Sequence, residues 1–93
     1  MTIENIKEKV ANVAEQYPIK QVLLFGSRAD GTNKEDSDVD LIMEFYEPVT
    51  LIALSSIRIQ LEEMLELEVD VIHGPIRETD LLEVGKVIEL YAA

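Results

Sequence analysis

The stretch GSRADGTNKEDSDVDL, Gly26 to Leu41, decides how the chain is read. On its N-terminal side lies QVLLF, Gln21 to Phe25, a short apolar run bounded by Pro18 and Gly26, which is the pattern of a buried strand. From Asp38 the residues alternate and then turn apolar, DVDLIMEF, predicting a second strand that ends before Pro48. Between them, Gly26 to Ser37 is polar and carries two glycines among Asp, Asn, Thr and Ser, so it reads as a loop with room for one helical turn.

The loop and its flanks bring together groups with a common chemistry. Side chains two apart on a strand share a face, so Asp38 and Asp40 are expected to point the same way with Cα atoms about 6 to 7 Å apart. Paired ionised carboxylates repel unless a cation sits beside them, and hard oxygen ligands suit Mg²⁺ held together with substrate phosphates. An isolated Asp-x-Asp is more often a solvated surface pair. Here it follows Gly26-Ser27 directly after a buried strand, where a residue lacking Cβ lets a phosphate approach the backbone N–H groups and a hydroxyl adds a donor. At average residue frequencies the combination arises by chance with a probability on the order of 10⁻³ for a chain this short. A Walker A loop is the rival: Gly26 and Gly31 have its spacing, but Thr32 stands where the phosphate-binding Lys belongs, and a strand follows instead of a helix.

Outward from this centre, Ile3, Ile6, Val10, Val13 and Tyr17 recur at helical steps and predict an amphipathic first helix ended by Pro18. Thr50 is placed to cap a helix whose stripe is Leu51, Leu54, Ile57, Leu61, Met64 and Leu65. Val69 to Ile72 reads as a third strand, with Asp70 facing opposite to Val69 and Val71. Thr79 or Asp80 is expected to cap a last helix with Leu81, Val84, Ile88 and Tyr91 on one stripe. The order helix, strand, loop, strand, helix, strand, helix predicts an α/β (α+β) design, a small mixed sheet packed with helices.

Length and composition bound the rest. The 93 residues suit a single domain spanning 1–93, and 47% apolar residues can fill its core. A balance of 8 basic to 19 acidic residues, net −11, disfavours a grip on nucleic-acid phosphates or on an anionic membrane surface. The absence of cysteine excludes disulfides and thiolate chemistry and suits a cytoplasmic location. No signal peptide or membrane-spanning run is expected.

The run Gly26 to Leu41, followed by Asp70 in VDVI, resembles the minimal nucleotidyltransferase domain of the polymerase-β-like superfamily, with its GSx10DxD signature and a third carboxylate on a later strand. The resemblance implies transfer of a nucleoside monophosphate from an NTP to a hydroxyl. It implies that Gly26 and Ser27 hold the triphosphate, that Asp38 and Asp40 bind two Mg²⁺ ions, and that Asp70 ligates one ion and helps to activate the acceptor. Stand-alone chains of this kind resemble antitoxins that adenylylate a tyrosine of a HEPN-domain toxin, which implies ATP as substrate and a HEPN partner, in a homo- or hetero-oligomer. Two alternatives stay open: a module that masks its partner without chemistry, and a transferase acting on a small molecule. Asp30, where relatives often carry a basic residue, favours masking. Arg28 and Lys34 are candidates for phosphate neighbours, with a solvated loop charge the preferred reading of each, and His73 is read as structural or exposed.

Overall fold

The computed structural model describes residues 1–75 and 85–93. Helix α1 is Ile3–Ala14, strand β1 Ile19–Phe25, the single-turn α2 Ser27–Asp30, β2 Val39–Phe45, α3 Leu51–Leu65, β3 Val69–His73 and β4 Ile88–Ala92. The strands form one mixed sheet in the order β3-β2-β1-β4. β1 runs antiparallel to both β2 and β4, and β2 runs parallel to β3. A parallel pair requires a crossover, and α3 supplies it.

Period-two alternation decides which side of the sheet the helices cover. Val22 and Leu24 of β1 and Val39, Leu41 and Met43 of β2 are buried on one face. There they pack against Ile6, Val10 and Val13 of α1 and Ile57, Leu61 and Leu65 of α3. Every one of these side chains is at most 3% exposed. The alternate positions, among them Phe25, Asp40 and Asp70, fall on the other face.

Both long helices begin on side-chain caps. Thr2 accepts from Asn5 N–H at 3.1 Å, and Thr50 accepts from Ala53 N–H at 3.0 Å as its position before Leu51 predicts. α1 stops at Ala14, short of Tyr17, which lies half-buried against the core with its hydroxyl accepting from Gln60 Nε2 at 2.7 Å. On α3 the expected stripe is narrower than its apolar residues: Ile57, Leu61 and Leu65 are buried, whereas Leu51 is 81% exposed and Met64 is also exposed. Fifteen residues of helix cross a sheet of short strands, so the first turn overhangs the core.

The C-terminal expectation is corrected. Ile88 and Tyr91 belong to strand β4, paired with Leu24 and Val22 of β1, and not to a helix. The three-residue spacing of Ile88 and Tyr91 is accommodated because the register shifts between Val22 and Leu23, letting Leu90, Ile88 and Tyr91 all reach the core. Thr79, Asp80, Leu81 and Val84 lie outside the described residues. Among the described residues no helix is long and apolar enough to cross a membrane.

Candidate active site

The end of β1 and the start of β2 meet in the ladder, with Phe25 opposite Asp40. The next residue, Gly26, has φ 76° and ψ −157°, a conformation that L side chains rarely adopt. A Cβ there would overlap Asp40 Oδ2 and stand 3.3 Å from its Cγ. Glycine is therefore required on two counts, and the Asp40 carboxylate lies directly against the turn. Ser27 opens α2, whose carbonyl at Gly26 accepts from both Ala29 N–H at 3.0 Å and Asp30 N–H at 3.2 Å. Gly31 closes the turn in the left-handed conformation at φ 85°.

Strand pairing then adds the third carboxylate. In the parallel ladder Asp40 is the direct partner of Asp70, so the two side chains project from neighbouring strands on the same face. Asp38 stands one residue before β2 and is exposed, so the Asp38–Asp40 pair straddles the start of the strand and does not lie within it as its alternation predicts. The chain has just left the Ser37 turn there, and Val39 N–H donates to the carbonyl of Glu68, the residue before β3, at 2.9 Å.

The electrostatic consequence falls on Asp40. Partial burial pushes its carboxyl pKa up, and the charges of Asp70 and Asp38 and a hydrogen bond with Asp70 push in the same direction. Among the described residues no three acidic or histidine side chains converge tightly enough to enclose a metal ion by themselves. An all-oxygen set open on one side fits Mg²⁺, which usually completes its shell with water and substrate phosphates.

Two loop charges behave differently from their sequence reading. Arg28 is not solvated: it is 5% exposed, with Nε donating to Ser37 O and Nη2 to Glu35 O, both at 3.0 Å. Its position one residue after Ser27 was visible, but burial of a cation depends on how the loop folds back, which local pattern does not encode. Asp30 is exposed and has a local task. Its Oδ1 accepts from Thr32 N–H at 3.0 Å and Thr32 Oγ1 at 2.6 Å, and these bonds hold its carboxyl below the usual range, with a smaller contribution from the Lys86 charge. Lys34 is exposed as expected. His73, exposed at the far end of β3 from Asp70, stacks on Phe45 with ring centroids 5.3 Å apart, in keeping with a structural role.

The nucleotidyltransferase domain model matches residues 5–90, nearly the whole chain and every element of the site. The chain belongs to the nucleotidyltransferase family. This nucleotidyltransferase is 32% identical over 76 residues to the protein adenylyltransferase MntA of Thermococcus cleftensis, covering 77% of each chain. Among solved structures it resembles a toxin–antitoxin bound to AMP-PNP, with a TM-score of 0.77 at 21% identity, over 94% of this chain and 73% of that one. It also resembles a chain of a complex between a tri-AMPylated Shewanella oneidensis HEPN toxin and its MNT antitoxin, with a TM-score of 0.72 at 17% identity, over 99% and 74% of the two chains. At such identities the structural likeness establishes the shared fold, a four-stranded mixed sheet with the helices described above.

Proposed function

We propose that this nucleotidyltransferase moves AMP from ATP to a tyrosine hydroxyl of a HEPN-type partner and acts as that partner's antitoxin. The observation that carries the reading is the pairing of Asp40 with Asp70 directly against the Gly26–Ser27 turn. In the reaction the acceptor oxygen bonds to the α-phosphorus, the bond from that phosphorus to the β-bridging oxygen breaks, and pyrophosphate leaves. The acceptor proton passes to a base. Tyrosine has a pKa near 10, so at neutral pH that base must be held close to the hydroxyl. Asp70, on its own strand beside Asp40, is assigned this task.

The turn binds the donor: the space that a Cβ at Gly26 would fill admits a phosphate oxygen to the backbone, and Ser27 contributes its hydroxyl. Asp38, Asp40 and Asp70 are the residues that would hold divalent metal, two Mg²⁺ ions in this reading. When bound, the metal neutralises phosphate charge and stabilises the attacking and leaving oxygens.

The partner assignment is supported by the name of the Thermococcus cleftensis relative and by the AMPylated HEPN toxin found with a chain of this fold. A net charge of −11 adds long-range attraction for a basic, RNA-directed partner. Such a hetero-oligomer would work in the cytoplasm, where ATP is available, with residues 1–93 acting as one domain. Masking without chemistry is the weaker alternative, because the acid at position 30 is accounted for by its bonds to Thr32.

The test uses purified protein, a HEPN partner, Mg²⁺ and ATP labelled at either the α- or the γ-phosphate. The α-label should appear on the partner and the γ-label in pyrophosphate. Transfer of the γ-label would make the protein a kinase and contradict the proposal; transfer of neither would leave masking.

A further inference from the structure

We infer that Arg28 is a positioning residue, a clamp that holds the phosphate-binding turn and the acidic strand in fixed relation. Its backbone belongs to α2, immediately after Ser27, while its guanidinium reaches the carbonyls of Glu35 and Ser37, three residues and one residue before Asp38. One side chain thus ties the two halves of the site together at the base of the loop. The inference rests on the nucleotidyl-transfer reading of that site.

The loop needs such a tie. Residues 30–36 are all exposed and have little apolar surface to bury. Their internal bonds are local: Thr32 to Asp30, Lys34 N–H to Ser37 Oγ at 2.8 Å, and Ser37 N–H to Lys34 O at 3.2 Å. The first turn is also tied to α2, Gly31 and Thr32 N–H each donating to Ser27 O at 3.0 Å, but none of these bonds attaches the second turn, Lys34 to Ser37. Only the Arg28 bonds link the far end of the loop to its start among the hydrogen bonds of the described residues. The guanidinium is spent on neutral carbonyls, with no carboxylate within salt-bridge range among the described residues. A buried cation is costly, and its cost is met here by carbonyl oxygens in a geometry that a planar fork satisfies at two points. Lysine, a single compact charge on a flexible stem, cannot hold both carbonyls at once in that way.

The functional consequence follows from tolerance. Displacing reacting groups by about 1 Å costs about 10²-fold in rate, and Asp38 lies one residue from the clamped Ser37 carbonyl. Loss of the clamp should therefore lower kcat more than it raises KM for ATP, since the Gly26 turn remains formed by its own bonds.

The experiment compares wild type with Arg28→Lys, Arg28→Met and Arg28→Ala by residue-resolved hydrogen exchange and by steady-state AMP transfer. In all three variants the hydrogen-bonded amides of Lys34 and Ser37 should exchange faster, while Thr32, held by Ser27 O and Asp30, and Leu41 to Met43 of β2 keep wild-type protection. Transfer should fall about 10²-fold in kcat with a smaller change in KM. Low-millimolar guanidinium chloride should restore loop protection and part of kcat to Arg28→Ala. Wild-type exchange in Arg28→Lys, or loosening spread evenly through the sheet, or loosening of the loop with kcat unchanged, would overturn the clamp. Absence of AMP transfer by the wild-type protein would instead overturn the proposed function, and the exchange data would still decide whether Arg28 fixes the loop.

Discussion

Asp40 stands opposite Asp70 in the β2–β3 ladder, and its carboxyl is held above the ordinary range by burial and by that neighbour. The unfolded chain offers Asp40 its ordinary pKa, so the folded protein binds the proton more tightly. Stability from this group is fully present below the unfolded pKa and is lost as pH rises through the folded value. Asp40→Asn should therefore stabilise the metal-free protein at pH 7 and flatten this part of its pH dependence. The difference between wild-type and variant melting curves across pH 3 to 8 isolates the effect; a variant that melts lower at pH 7 would show that the acid has a structural role.

Divalent metal should act in the opposite sense to that repulsion. A ligand that binds only the folded arrangement stabilises by mass action, about 2.7 kcal/mol at one hundred times its Kd. The melting temperature of the wild type should rise with the logarithm of Mg²⁺ concentration, and that of Asp38→Asn, Asp40→Asn should not. Calorimetry of ATP binding with Mg²⁺ or with EDTA should show the same contrast.

Gly26→Ala should damage stability and binding together. The new Cβ meets the Asp40 carboxylate and the φ of 76° strains any L side chain, a loss of at least about 1 kcal/mol. Thermal melting reports the first effect and ATP calorimetry the second. Gly31→Ala is the control, strained at φ 85° but with nothing within 4 Å of the added carbon. It should lose stability while binding ATP nearly as well as wild type when folded.

Thr50→Ala removes the cap of α3 at the opposite end of the crossover from Asp70. It should cost about 1 kcal/mol in denaturant unfolding and leave AMP transfer unchanged.

The three strands that bear the site were legible because each short apolar run is closed by Pro or Gly, at Gly26, Pro48 and Gly74–Pro75, and the Gly26–Ser27 and Asp38–Asp40 motifs sit at strand ends. Legibility stopped where pairing between distant segments decides the outcome. Five residues from Ile88 to Ala92 are too few for period two to be distinguished from a helical step, and it is pairing with β1 that makes them a strand. The direct opposition of Asp40 and Asp70 depends on the register set by the α3 crossover. Arg28 looked like any loop cation because its partners are backbone carbonyls, which every residue carries.

The most direct test of the account is mass spectrometry of the HEPN partner after co-expression with wild-type protein or with Asp70→Asn. The substitution keeps size and loses the charge that takes the acceptor proton, so transfer should fall by about 10² or more while the two proteins still co-purify. The account predicts a tyrosine carrying AMP with the wild type and almost none with the variant. Undiminished modification with Asp70→Asn would remove Asp70 from the mechanism, and an unmodified partner with both proteins would contradict nucleotidyl transfer to the toxin.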